Sequence, residues 1–305
     1  MEDKNEYFPS RVFPPGAILK EKLDEMEMGP KEFALRTDKP EKTIIAVFNG
    51  DSSITAEMAV RFERVTKIPA GYWLNHQRGY DEFIAREKLK STIQEAIPWA
   101  KKFPLAEMTR RGWLPHASGI QEKAGRMLDY FAFATYHAWE EFYFKQQLKV
   151  AFRISLKRVP EPYALTAWLR KGELQAAEMN SKIYLRQHFK AALPQIRSLL
   201  ITPRTDFFEQ LQKTCLNAGV KVVHTPRLSK VAISGSTRWL NDTPLIQLSG
   251  PIKQNRTFAF TFFHEAGHIL LHGKKDIFLE QIDYADKDAA KEREADAFAE
   301  KWLEN

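Results

Sequence analysis

Two histidines four residues apart, His264 and His268, lie with Glu265 in an H-E-x-x-H pattern inside an apolar run. On a helix, residues four apart share a face, with Cβ atoms about 5–6 Å apart. Both imidazoles can therefore reach one metal ion. A bound Zn²⁺ lowers the pKa of its water to about 7, where a neighbouring carboxylate can take the proton. The pattern predicts a zinc site with two histidine ligands and Glu265 as general base.

A zinc site of this kind needs a third protein ligand, and a second amphipathic stretch at 291–303 offers carboxylates. Glu292 and Asp296 are four apart and share a helix face. We predict Glu292 as the third ligand and Asp296 as the carboxylate that orients a ligand histidine. Glu294 is the alternative ligand, although it is rotated off that face. The alternative to a metal site is a solvated charged helix beside histidines that only pack.

The two stretches, F-F-H-E-A-G-H-I-L-L-H-G and E-R-E-A-D-A-F-A, resemble the ImmA/IrrE family of zinc metallopeptidases, which is similar to the gluzincins. The resemblance extends upstream through 234–240 and 244–249. It implies a zincin-like domain that cleaves a protein, such as a transcription factor or a repressor.

Composition sets the wider limits. The chain has 305 residues, 44% hydrophobic and 28% charged, which suits a protein of two or three globular domains. It has no run of about 18 apolar residues, so we expect no membrane span. The first residues lack the basic-then-apolar order of a secretory signal. The single cysteine, Cys215, excludes an internal disulfide and fits a reducing cytoplasm; we expect it to be a core residue.

Charge is unevenly distributed along the chain. Residues 1–86 hold 13 Lys and Arg against 15 Asp and Glu, whereas residues 261–305 hold 6 against 11. The intervening residues, 87–260, hold 27 against 13, a net charge of +14. A positive field there attracts polyanions or acidic protein surfaces.

The N-terminal part contains short apolar-periodic stretches separated by turn residues. We predict helices near 15–26, 30–37, 41–48 and 55–65, with Asn49-Gly50 ending the third and Thr55 capping the fourth. Two short helices joined by a tight turn inside such a bundle form a helix-turn-helix, whose second helix enters the DNA major groove.

This part resembles HigA-type antitoxins of the XRE helix-turn-helix family over about residues 9–86. The resemblance rests on P-P-G-A-I-L at 14–19, N-G at 49–50, S-I-T-A-E-M-A at 53–59 and Y-W-L-N at 72–75. It implies DNA binding, dimerisation and a toxin partner. In the candidate reading helix only Lys39, Lys42 and Thr43 look able to reach DNA. The alternative is a bundle kept for dimerisation or partner binding.

Residues 87–205 are rich in helix formers, aromatic residues and basic residues. The alternation could indicate stacking on single-stranded nucleic acid, but helical core aromatics are the simpler interpretation. We predict a helix break at 171–175, around Gly172. The stretches at 152–155 and 167–176 also resemble the middle of relatives that join a helix-turn-helix to a metallopeptidase.

From residue 206 the pattern is α+β: a helix ended by Gly219, β-rich runs at 220–225 and 231–234, and a short strand at 245–249. We assign 244–249 the role of an edge strand that pairs with an extended substrate. His224 is expected to be structural. His272 either contacts substrate or the oxyanion, or interacts with the helix dipole.

The predicted fold is mainly α with a smaller α+β part: a helix-turn-helix domain (1–86), a helical middle region (87–205) and a zinc metallopeptidase domain with a small sheet (206–305). The predicted function is a cytoplasmic DNA-associated regulator carrying a zinc endopeptidase. The alternative is a non-enzymatic, antitoxin-like repressor that binds DNA as a dimer and masks a toxin, with the metal domain as sensor or scaffold. Retention of Glu265 favours the enzyme.

Overall fold

The computed structural model separates the chain into two compact units, residues 1–92 and 93–305. It describes residues 12–143, 161–202, 204–229, 231, 233–272, 274, 278–279 and 286–304. The predicted stretch at 152–155 lies outside these residues. The mainly helical fold with a small sheet is confirmed.

The first unit is a helical bundle around Leu19, Phe33, Ile44, Phe62 and Trp73, all of which are fully buried. Its helices are α1 (Pro15–Glu25), α2 (Pro30–Thr37), α3 (Glu41–Asn49), α4 (Ala56–Thr66) and α5 (Ala70–Glu95), the last of which runs three residues past residue 92.

The predicted helix ends of this bundle are confirmed. The Thr55 hydroxyl accepts a hydrogen bond from the Met58 N–H at 3.3 Å and caps α4. Gly50 follows α3 with φ +78°, a left-handed conformation that glycine adopts without strain. Asp38 takes a left-handed conformation between α2 and α3 and closes the turn of the helix-turn-helix.

The helical part of the second unit has an aromatic core. Trp99, Trp139 and Trp168 are at most 1% exposed, and Phe131 packs edge-on against Trp139. These aromatic residues are therefore core residues and present no stacking platform to a nucleic acid. The helices are α6 (Ile97–Ala100), α7 (Leu105–Arg110), α8 (Ile120–Phe131), α9 (Tyr136–Glu140) and α10 (Pro162–Ala177).

The predicted break at Gly172 is wrong, because α10 runs through it without interruption. A Cβ at Gly172 would lie 2.1 Å from the Gln247 side-chain oxygen, so the glycine makes room for a buried glutamine of the sheet. Gln247 in turn donates to the Trp168 carbonyl at 2.8 Å, and buried Arg238 donates to the Leu169 carbonyl at 2.6 Å. Polar side chains thus join α10 to the sheet.

The sheet has the order β1-β3-β2-β4. Strand β3 pairs parallel with β1 and antiparallel with β2, so it is central, and the prediction of an edge strand at 244–249 is wrong. β2 starts at Gly235, after the β-rich run predicted at 231–234, and among the described residues it pairs on its outer side with β4 at two positions. The strands are β1 (Lys221–His224), β2 (Gly235–Leu240), β3 (Thr243–Leu248) and β4 (Phe278–Leu279).

Four helices pack around this sheet and share one apolar core with it. They are α11 (Arg186–Ile201), α12 (Phe207–Asn217), α13 (Arg256–Leu271) and α14 (Asp286–Glu304). Cys215 is fully buried in this core, as expected.

Two arginines of α11 hold the C-terminal ends of the last two helices. Arg186 donates to the Leu270 carbonyl of α13 at 2.9 Å, and Arg197 donates to the Trp302 carbonyl of α14 at 2.7 Å. The last carbonyls of a helix lack intrahelical donors, so a cation there supplies both a hydrogen bond and a favourable charge.

Across the part of the chain that the structure describes, no helix is both long enough and apolar enough to cross a membrane.

Candidate metal centre

Helix α13 is buried along nearly its whole length and therefore hides its polar residues. The Asn255 side chain starts it by accepting a hydrogen bond from the Phe258 N–H at 2.8 Å. His264, Glu265 and His268 are 2%, 0% and 1% exposed. Buried ionisable groups are costly unless they pair or bind a metal. The helix thus presents its polar residues to its neighbours instead of to water.

Helix α14 approaches α13 where glycine permits it. A Cβ at Gly267 would lie 3.3 Å from the Ala295 Cα and 3.3 Å from the Phe298 Cβ. One turn before Gly267, the Phe263 ring stacks on Trp302 with centroids 5.6 Å apart. These contacts fix how the two helices align, and the alignment brings Glu292 to the histidines.

His264, His268 and Glu292 form a three-donor cluster at the crossing of α13 and α14. The two Nε2 atoms are 3.0 Å apart, His264 Nε2 is 3.1 Å from Glu292 Oε2, and His268 Nε2 is 3.6 Å from Glu292 Oε1. Tetrahedral zinc with ligand bonds near 2.0–2.1 Å separates its ligands by roughly 3.3 Å. The three distances lie around that value, so the three residues could hold one metal ion, with zinc among the candidates.

The pKa values of His268 and Glu292 also favour the protonation states that bind a metal cation. Burial lowers the pKa of His268 to about 4. Burial alone would raise the pKa of Glu292, but its interactions with His264 and His268 outweigh it and bring that pKa to about 2. Neutral imidazole and ionised carboxylate are the forms that bind metals. Glu292 Oε1 is buried and makes no hydrogen bond to any residue that the structure describes, which leaves it available to an ion.

Asp296 lies behind His264, on the side away from the donor cluster. Its Oδ1 atom is 2.9 Å from His264 Nδ1. A carboxylate at this distance holds the proton of the imidazole on Nδ1 and so turns the Nε2 lone pair towards the cluster.

Glu294 is not part of the donor cluster. Its carboxylate lies 3.2 Å from His272 Nε2, and His272 Nδ1 lies 2.9 Å from His268 Nδ1. Of the two carboxylates considered for the third ligand position, the structure brings Glu292 to the histidine Nε2 atoms and Glu294 to His272.

Gly235 touches the predicted general base, a contact that sequence reasoning did not find. A Cβ at Gly235 would lie 2.6 Å from Glu265 Oε1 and 2.9 Å from Thr261 Cγ2. Two residues further along β2, the Thr237 hydroxyl donates to the Glu265 carbonyl at 2.9 Å. The start of β2 therefore lies directly on Glu265. The sequence signal for this contact was the glycine within 234–240. That stretch resembles the ImmA/IrrE family, but the resemblance assigned it no role.

A cavity of about 180 Å³ lies beside the N-terminal half of α13. Thr261 lines it one helical turn before Glu265, together with Phe258 and Ser234. Arg227 is the basic residue in its wall.

The predicted DNA-contacting residues lie in the first unit, around the start of α3. Lys42 is exposed and makes no ion pair with a described residue, and Thr43 is half-buried beside it. Lys39 is paired: its ammonium lies 2.9 Å from Glu57 Oε1, and its side chain is only 19% exposed. Arg61 contacts the same Glu57 oxygen at 2.9 Å. The hydrogen bond and charge of Lys39, aided by Arg61, lower the pKa of Glu57.

Comparison with known proteins relates both ends of the chain to families. The model of the IrrE N-terminal-like domain, Peptidase_M78, matches residues 215–303. YddM of Escherichia coli (strain K12), an uncharacterized HTH-type transcriptional regulator, is 32% identical over 66 residues, which are 22% of this chain and 70% of YddM.

Two solved structures are also similar. An addiction module antidote protein of a HigA family from Coxiella burnetii is 32% identical over 28% of this chain and 94% of its own, with a TM-score of 0.26. The Pseudomonas aeruginosa antitoxin HigA, solved with the higBA promoter, is 28% identical over 28% of this chain and 94% of its own, with a TM-score of 0.26.

The family match at 215–303 contains all three donors and Glu265, and the similarity to YddM concerns a regulator with a helix-turn-helix, the arrangement seen in α2 and α3. The chain therefore belongs to the HTH-type transcriptional regulators and carries an IrrE N-terminal-like domain at its C-terminal end.

Proposed function

We propose that the protein is a DNA-associated regulator whose IrrE N-terminal-like domain is a zinc-dependent endopeptidase. The supporting observation is the donor set His264, His268 and Glu292, with the buried carboxylate of Glu265 on the same helix. Two histidines and one glutamate leave a coordination position open, as catalytic zinc sites do. A purely structural site has no need of Glu265.

Each residue of the site has a distinct role in this proposal. When bound, zinc would acidify a water molecule and polarise the carbonyl of the scissile peptide bond. Glu265 accepts the proton of that water and passes it to the leaving amine, as a general base and then a general acid. Asp296 holds His264 in the tautomer that points Nε2 at the ion. Gly235 leaves the Glu265 side chain the space it occupies.

The substrate of this site is a protein segment, such as part of a transcription factor or a repressor. β2 is the strand that lies on Glu265, and among the described residues its outer edge pairs with β4 at Ser236 and Thr237. An extended peptide can bind by adding a strand to the edge of a sheet. The 180 Å³ cavity past Thr261 would take one substrate side chain, and Arg227 in its wall favours an acidic one.

DNA binding belongs to the first unit. The reading helix of a helix-turn-helix presents its N-terminal side chains to the major groove. In this chain those are Lys42 and Thr43 of α3, with Lys39 just before it. Such a role places the protein in the cytoplasm, next to DNA-bound substrates.

The decisive experiment compares cells that express the wild-type protein with cells that express Glu265→Gln, by mass spectrometry of newly formed protein termini. The amide has nearly the shape of the carboxylate but cannot accept the proton. We expect zinc content and melting temperature to stay unchanged and cleavage to fall by about 10²–10⁴-fold, the usual share of general acid–base catalysis.

A folded, zinc-loaded Glu265→Gln that cuts at the wild-type rate would remove Glu265 from the mechanism. If the wild type cuts nothing when DNA and its partner proteins are present, the antitoxin-like repressor becomes the better explanation.

A further inference from the structure

The two ligand histidines are supported in different ways on their Nδ1 sides. His264 faces a carboxylate directly, because Asp296 Oδ1 is 2.9 Å from its Nδ1. His268 faces another imidazole: His272 Nδ1 is 2.9 Å from His268 Nδ1, and the carboxylate comes only after it, with Glu294 Oε2 3.2 Å from His272 Nε2.

The directions of the protons in this chain follow from the donor cluster. To bind a metal through Nε2, neutral His268 must carry its single proton on Nδ1. That proton has to be donated to His272 Nδ1, which must then be the acceptor. His272 consequently carries its own proton on Nε2 and donates it to Glu294. Only one arrangement of neutral rings satisfies both contacts and leaves the His268 Nε2 lone pair for the ion.

His272 is well placed to hold this arrangement. Its side chain is only 4% exposed, whereas the Glu294 side chain is 62% exposed. It is the residue that follows α13, so its ring lies one helical turn beyond His268. It is not a ligand itself, because it contacts the Nδ1 edge of His268 and not the Nε2 edge that faces the cluster.

We propose that His272 is a positioning residue, which together with Glu294 fixes the tautomer and ring orientation of His268 and thereby sets the metal affinity of the site. The inference rests on the proposed metal site, but not on peptidase activity. It gives Glu294, the alternative candidate for the third ligand, a different role, one hydrogen-bond step removed from His268.

The test measures Zn²⁺ affinity of the full chain by competition with a chromophoric chelator, for four variants. His272→Leu fills the space but accepts no hydrogen bond. His272→Asn places an oxygen acceptor at the Nδ1 position. Glu294→Ala removes the outer carboxylate. Glu300→Ala is the matched control, since Glu300 lies on the same helix and pairs with Arg256 at 2.8 Å.

Loss of an outer hydrogen-bond partner weakens metal binding by about 10–100-fold. We expect a loss of that size for His272→Leu, a smaller one for Glu294→Ala, recovery of most of the affinity in His272→Asn, and no change in Glu300→Ala. With Co²⁺ in place of Zn²⁺, the visible absorption bands, which depend on ligand geometry, should change in His272→Leu and be restored in His272→Asn.

Wild-type affinity in His272→Leu, with the metal-free melting temperature showing that it is folded, would overturn the proposal. So would an Asn variant as weak as the Leu variant, because the effect would then come from packing and not from the hydrogen bond. Failure of the peptidase proposal gives a different result: the variants show the expected changes in metal affinity, but the wild-type protein cleaves nothing.

Discussion

The metal centre and the start of α3 both present polar side chains of the kind their functions need, but they hold them in opposite ways. At the metal centre, the donors are at most one-fifth exposed and the packing of α13 against α14 fixes their distances. At α3, Lys42 is exposed and Lys39 is paired with Glu57 on the protein itself. The first site is pre-organised, whereas Lys39 would have to exchange its ion pair with Glu57 for a phosphate in order to contact DNA. In the proposed function, catalysis therefore depends on buried residues and DNA contact on exposed ones.

The largest effect is expected when one of the three donors is removed. Glu292→Ala leaves two histidines that cannot hold zinc alone, so we expect a wild-type content of about one zinc per chain to fall to near zero after dialysis. Metal analysis by mass spectrometry measures this. Glu294→Ala should retain zinc under the same conditions. If Glu294→Ala empties the site and Glu292→Ala does not, the assignment of the third ligand is wrong.

A second variant tests pre-organisation without touching a donor. Gly235→Ala introduces a Cβ 2.6 Å from Glu265 Oε1, so the carboxylate or β2 must shift. A displacement of about 1 Å can cost roughly 100-fold in rate, and we expect a loss of about 10–100-fold in cleavage with zinc retained.

The matched control for that variant is Gly250→Ala, since a Cβ at Gly250 meets no atom within 4 Å. Both rates are measured on a target identified by the terminus mass spectrometry. Equal rates in the two variants would show that the contact between Gly235 and Glu265 does not matter.

Acid should weaken the metal-free fold through the same buried groups. Burial lowers the pKa of His268 from 6.5 to about 4, so between these pH values the unfolded chain binds a proton that the folded chain does not. The free energy of unfolding should fall as pH decreases through this window, by roughly 3 kcal/mol for this group. Below it, Glu292 acts in the same direction, because its folded pKa of about 2 is also depressed.

Denaturant unfolding at several pH values, in the presence of a chelator, measures this dependence. His268→Gln has no titrating group and should give a flatter curve between pH 6.5 and 4.5. Parallel curves for the two proteins would contradict the assignment to His268.

The smallest expected effect concerns DNA. Lys42→Ala removes an exposed cation, so duplex DNA should bind a few-fold more weakly and the slope of log affinity against log salt should lose about one unit. Glu57→Gln should act in the opposite direction, because it releases Lys39 and Arg61 from their shared carboxylate. Fluorescence anisotropy across a salt series measures both. An unchanged slope in Lys42→Ala would remove that residue from the interface.

Sequence reasoning succeeded where the relevant geometry is local. The spacing of His264 and His268 places both on one face of any helix, and the turn residues around Asn49 and Thr55 fix the ends of the bundle helices. Glu292 required one non-local assumption, that α13 and α14 face each other. Its role as the third ligand stays a prediction until metal is measured.

The predictions were wrong where contacts with segments distant in the sequence determine the local structure. Gly172 is a poor helix former by itself, but Gln247 from β3 occupies the space its Cβ would fill, so the helix continues. The central position of β3 depends on pairing with both β1 and β2, which no local pattern indicates. The contact of Gly235 with Glu265 has the same origin.

The hydrogen bonds from α11 to the ends of α13 and α14 bear on how this part of the protein can be produced by itself. Residues 215–303 contain the metal donors, but Arg186 and Arg197, which hold the last carbonyls of the two helices, lie before them. So do Phe189 and Leu193, which lie in the same apolar core. An expression fragment cut to the family boundary would expose that core and leave the C-terminal ends of both helices without these hydrogen bonds. A self-sufficient metal-binding fragment should start no later than Tyr184, whose ring packs on Trp239 of β2.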